Sequence, residues 1–79
     1  MTTQQLQTML HASPFQPFDV HLADGRAIPV GHPELVFVTP GGRTVGIAIT
    51  DDAIEILDLL LVTSLKPHSN GATRSQSGQ

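Results

Sequence analysis

FDVHLADGRAIPV, residues Phe18–Val30, decides the fold. Phe18, Val20 and Leu22 alternate with Asp19, His21 and Ala23, the period of two that a half-buried strand requires. Ile28 and Val30 resume the alternation after Asp24-Gly25, with Ala27 and Pro29 between them. A two-residue loop at Asp24-Gly25 would set Leu22 against Ala27 and send Ile28 and Val30 to the face opposite Val20. A three-residue loop, Ala23-Asp24-Gly25, pairs Leu22 with Arg26, Val20 with Ile28 and Phe18 with Val30. Five large apolar side chains then share one face, and a slip of one residue would scatter them. The hydrophobic pattern therefore selects a type I turn closed by a G1 bulge, with Gly25 left-handed and Asp24 bonding local amides. Pro29 has no N–H to give a ladder, which places the second strand at an edge or a bulge.

Working back from the hairpin, Leu6, Met9 and Leu10 form an i, i+3, i+4 stripe in a Gln/Thr-rich segment. This predicts a helix over residues 3–12, capped by Thr2 or Thr3 and stopped by Pro14. So short a helix must dock on the sheet to persist. Pro14-Phe15-Gln16-Pro17 is a stiff connector, and Phe15 is placed to plug the seam between helix and sheet.

Working forward, Gly31-His32-Pro33 interrupts the sheet, and a strand is expected over 34–39. Leu35-Val36-Phe37-Val38 is apolar on both faces, so it is either a covered central strand or one that meets another subunit. Pro40-Gly41-Gly42 is a turn. A strand over 43–49 follows, with Val45, Ile47 and Ile49 on one face and the smaller Thr44, Gly46 and Ala48 on the other. Residues 53–65 admit two readings. Asp52 and Glu55 have capping-box spacing, and Ile54, Leu57 and Leu61 fit a helical stripe. The β-branched residues and the unspaced leucines favour a strand over 53–57, a 3₁₀-like turn around 58–60, and a strand over 61–66. Residues 67–79, rich in Ser and Gly, are expected to form a disordered tail. The whole predicts one α+β, mainly β domain over 1–66: a short helix, then a small SH3-like or Sm-like antiparallel barrel or a strongly bent sheet.

Pro14-Phe15-x-Pro17-Phe18-x-x-His21-Leu22-Ala23-Asp24-Gly25-Arg26 resembles the opening of a family of short, uncharacterised bacterial proteins. The resemblance continues through His32-Pro33-Glu34, Gly41-Gly42-Arg43-Thr44 and Asp58-Leu59-Leu60-Leu61-Val62-Thr63, covering about residues 5–65. It implies no activity, because the family has no assigned function. Gln16 stands where an arginine is frequent in such proteins, which leaves this chain less basic.

Charge and composition exclude several classes. A net charge of −3, with Arg26, Arg43, Lys66 and Arg74 as the only Lys or Arg residues, argues against a nucleic-acid backbone partner. With no cysteine, neither disulfides nor thiolate zinc ligation is available. No basic, apolar leader is evident, and the Leu59–Val62 run is too short to cross a bilayer, which predicts a cytoplasmic protein without membrane contact. Gly41-Gly42-Arg43-Thr44 lacks Walker spacing, and Asp51 and Asp52 read as turn residues. No catalytic residue, cofactor or metal set is expected, and the protein is read as a non-enzyme.

The leading expectation is a self-associating or protein-interaction module, because a body this small cannot cover two oily surfaces. Its partner would be a second copy, as a homo-oligomer, or another protein. Leu35, Phe37, Leu59 and Leu61 are the candidate contact residues; Asp24, Gly25, Gly41 and Gly42 are structural. One alternative gathers Arg26, Arg43 and Lys66 by symmetry into a weak nucleic-acid surface. A second makes His21, His32 and Glu34 a small-molecule or metal sensor.

Overall fold

Thr2 starts the N-terminal helix, α1 (Thr3–Leu10), with a closed capping box: its side chain accepts from the Gln5 N–H, and the Gln5 side chain accepts from the Thr2 N–H. The helix is two residues shorter than its stripe suggested, because His11 leaves helical geometry (φ −101°, ψ 8°) as its N–H closes onto the Gln7 carbonyl. The computed structural model describes residues 2–68. Six strands follow α1: β1 (Phe18–Leu22), β2 (Ala27–Val30), β3 (Val36–Val38), β4 (Thr44–Thr50), β5 (Ala53–Asp58) and β6 (Val62–Pro67).

They form two antiparallel three-stranded sheets, ordered β2-β1-β6 and β3-β4-β5. Among the described residues no ladder joins the two sheets, so there is no closed barrel. The register of the first hairpin is the one its apolar pattern demands: Phe18 faces Val30, Val20 faces Ile28 and His21 faces Ala27. The Leu22 N–H donates to the Arg26 carbonyl at 2.8 Å, the Gly25 N–H donates to the Leu22 carbonyl at 3.0 Å, and Gly25 has φ 95°. The edge position of β2 suits Pro29.

Pro33 diverts the chain from the strand expected over 34–39. Residues Pro33–Leu35 form a 3₁₀ turn, and only Val36–Val38 pair with β4. β3 is thus an edge strand and not a covered central one. Residues 53–65 take the strand–turn–strand form. The Asp58 carboxylate accepts from the Leu60 N–H at 2.9 Å and caps a 3₁₀ turn over Leu59–Leu61, delaying β6 to Val62. Of the expected tail, residues 69–79 lie outside the described residues. Its first two residues continue the sheet instead: Pro67 pairs with Phe18, and the His68 N–H donates to the Pro17 carbonyl at 2.9 Å. The His68 ring lies 2.7 Å from Asp19.

The core lies between the sheets and under the helix. Phe18, Val20, Leu22, Ile28 and Val30 meet Val45, Ile47, Leu57, Leu59 and Val62, while Leu6 and Leu10 close one end. Phe15 packs partly buried against this cluster, its ring centroid 6.0 Å from that of Phe18. Ile49, expected on the core face with Val45 and Ile47, is half exposed, because the ladder shifts between Ala48 and Thr50 and releases it.

Gly42 ties α1 to the β3–β4 turn. Its carbonyl accepts from the Thr3 hydroxyl at 2.8 Å, its φ is 75°, and a Cβ there would sit 2.7 Å from the Thr3 oxygen. Gly42→Ala must strain a left-handed residue and displace Thr3, a loss of about 1–2 kcal/mol. For a domain this size that lowers the melting temperature by roughly 4–16 °C. Gly41→Ala meets open space and a φ outside the left-handed region, so it should melt close to the parent. Equal effects from the two variants would refute this account.

Candidate apolar interaction face

The parity of the β4–β5 ladder creates the site. Val45 faces Leu57 on the core side, so the alternate residues of the two strands turn outward: Gly46 opposes Ile56, and Ala48 opposes Ile54. β3 adds Phe37 opposite Gly46. One row, Phe37–Gly46–Ile56, therefore crosses all three strands on the outer face. Phe37 is 65% exposed, Ile54 65% and Ile56 67%, whereas Val36 and Val38 turn toward the core. The small side of Gly46 and Ala48 forms the floor of a shallow groove of about 440 Å³, with Leu35 and Glu34 at its rim. Large apolar side chains thus stand exposed beside a glycine floor.

The contact residues expected from sequence are divided by this arrangement. Leu35 and Phe37 line the groove. Leu59 does not belong to any surface: it is 5% exposed and part of the core. The physical reason is the 3₁₀ turn, whose three residues per turn send successive side chains in three directions. Leu59 goes inward, while Leu60 (77% exposed) and Leu61 point out. Leu61 instead lies beside Ala23, Asp24 and Arg26 at the first hairpin turn. Ile54 and Ile56 were absent from the sequence-derived set, although their alternation with Glu55 placed them on a common face.

The charged candidates do not converge. The Asp24 carboxylate accepts from both the backbone N–H and the guanidinium of Arg26, at 3.0 and 2.9 Å. Those Arg26 bonds hold its carboxyl below the ordinary value of 3.8. Arg26 also donates to Glu55 on β5 at 3.1 Å, and the two carboxylates raise its pKa above the ordinary value. Its charge is spent inside the molecule. Arg43 stands in the β3–β4 turn and Lys66 near the end of β6, opposite Asp19. His21 sits on β1 between Ala27 and Ser64, while His32 and Glu34 lie at the Pro33 turn. Among the described residues no three His, Asp or Glu side chains converge as metal ligands. No helix among them is long and apolar enough to cross a membrane.

Among the described residues the fold and face define a mainly β protein: one N-terminal helix on two three-stranded antiparallel sheets, the second bare on its outer side. No protein-family model, curated protein or solved structure matches the chain.

Proposed function

We propose that the protein is a non-catalytic association module, that the uncovered side of the β3-β4-β5 sheet is its working surface, and that a second copy of the chain is its partner. The observation that carries this reading is the exposure of Phe37, Ile54 and Ile56 on one face, over a floor of Gly46 and Ala48. A small domain that spends its core residues on one side of a sheet leaves the other side to be covered by association. A second copy supplies matching apolar surface without a second gene product, and closed two-fold pairs are the commonest soluble oligomers.

The pairing β2-β1-β6 and β3-β4-β5, with a 3₁₀ turn between β5 and β6, supports reading the architecture as an opened SH3-like or Sm-like barrel. That likeness is one of layout and imports no ligand. The nucleic-acid alternative is weakened by the engagement of Arg26 with two carboxylates.

Light scattering of the full chain at tens of micromolar should give a particle heavier than one chain. Ile56→Lys, at an exposed site, should keep the circular dichroism spectrum of the folded chain yet scatter as a monomer, with its melting temperature lowered only by the lost association. A monomeric parent at these concentrations would sink the reading.

A further inference from the structure

We infer that two copies join edge to edge along β5, in an antiparallel two-fold pairing that sets Ile54 of each against Ile56 of the other. This rests on the reading that two copies associate through the second sheet, and it sets the contact at that sheet's β5 edge, with the outer face taking part through Ile54 and Ile56 and not through the groove floor.

The ladder phase leads to β5. The Leu59 N–H donates to the Arg43 carbonyl at 2.8 Å, and the Thr39 N–H donates to the Thr44 carbonyl at 3.0 Å. Hydrogen-bonded pairs alternate in an antiparallel ladder. β4 therefore turns the backbone groups of residues 45 and 47 toward β5, where they meet Leu57 and Glu55, and those of 44 and 46 toward β3. The N–H and C=O groups of Ile54 and Ile56 consequently point away from β4, to the open side. The same two residues expose their side chains. Backbone and side chain thus present one unfinished surface.

Among the described residues the other sheet edges are blunted and this one is bare. β2 carries Pro29, β3 is only three residues long, and β6 has a register shift beside it and ends in Lys66-Pro67. β5 has no proline, no lysine and no bulge between Ile54 and Leu57, and β4 is the only strand paired with it among the described residues. Such an edge invites another strand.

Its sequence names that strand. Ile54-Glu55-Ile56 reads identically in both directions, so a two-fold axis through Glu55 matches it to itself. Each Ile54 then forms a hydrogen-bonded pair with the other copy's Ile56, making four backbone bonds in all, and four isoleucines cluster on the outer face. On the inner face the two Glu55 side chains meet, each already 3.1 Å from an Arg26 guanidinium that offsets its charge. Asp52 and Asp58 fall at the ends of the seam and limit its length.

The chain has no cysteine, so Glu55→Cys gives a disulfide only if two copies bring residue 55 together. A non-hydrogen-bonded antiparallel pair has Cα atoms about 4.5 Å apart, within disulfide range. Mild oxidation of full-length Glu55→Cys should give mostly covalent dimer, and Ala27→Cys, at the exposed β2 edge, should stay largely monomeric on a denaturing gel. Phe37→Ser, on the same face but on β3 and so two strands from the seam, separates the two geometries: edge pairing keeps the native mass and stacking of the faces loses it. A parent that dimerises while Glu55→Cys stays a free thiol, or while Phe37→Ser dissociates it, would overturn edge pairing in favour of stacked faces and leave the association reading standing. Equal cross-linking of both cysteine variants would equally overturn it, and a monomeric parent would remove both.

Discussion

Phe18→Ala is expected to remove a large part of the protein's stability. Phe18 is fully buried, and it is the largest side chain at the point where the first sheet meets the second. Truncating a buried phenylalanine costs about 3–5 kcal/mol, through lost transfer energy and an unfilled cavity. A chain of 79 residues has roughly 4–12 kcal/mol of stability in total, so this loss is a large part of the whole. Phe15 cannot compensate by turning in, because Pro14 and Pro17 restrict the backbone on either side of it. Urea denaturation followed by circular dichroism measures the effect. A loss below 1 kcal/mol would show that the site collapses around the gap.

Leu6→Ala carries the second largest effect, and it separates the helix from the sheets. Leu6 is buried to the same degree as the sheet core, so the substitution should cost about 2–5 kcal/mol. An eight-residue helix has no stability of its own in water. Weakening its anchor should therefore release α1 before the strands part, leaving Leu10, the partly buried Met9 and the Thr3–Gly42 bond as its remaining ties. Hydrogen exchange should show faster loss of protection in α1 than in β1 or β4. Gln4→Ala, on the exposed side of the helix, should change neither. Uniform loss of protection across helix and sheets would mean that α1 is integral to one cooperative unit.

Much of this architecture was legible in the residues, and the reason is local. The Phe18–Val30 hairpin has an alternating pattern that tolerates one register, and its loop contains a glycine where the backbone needs positive φ. The first helix was legible from its stripe and its capping residues, and its end was misplaced by two residues because fraying is decided by one backbone hydrogen bond. The strand expected over 34–39 was too long for a related reason. Pro33 starts a 3₁₀ turn as readily as it ends a loop, and the pattern of Leu35–Val38 is apolar either way.

The candidate face was only half legible. Leu35 and Phe37 were recognisable because a run apolar on both sides needs two partners. Leu59 was misassigned, since a leucine run contains no polar residue to mark which side chain turns inward. Ile54 and Ile56 illustrate the deeper difficulty. Taken alone, Ile-Glu-Ile suggests isoleucines inside and glutamate outside. The reverse holds, because Leu57 is drawn into the core opposite Val45, and the strict alternation of a strand carries Glu55 inward with it. Arg26, from the first hairpin, makes that position tolerable by donating to the Glu55 carboxylate.

By itself, then, the sequence determined those elements whose information is contained within a few residues: the hairpin register, the start of the first helix to within a residue, and an excess of apolar surface over what one core can cover. Over residues 53–65 it favoured the strand–turn–strand path and left the helix open. Tertiary structure alone decided which side of the second sheet is bare and which leucine of the run is buried. Those outcomes depend on pairing between strands distant in sequence, where a single long-range register sets the facing of every side chain at once.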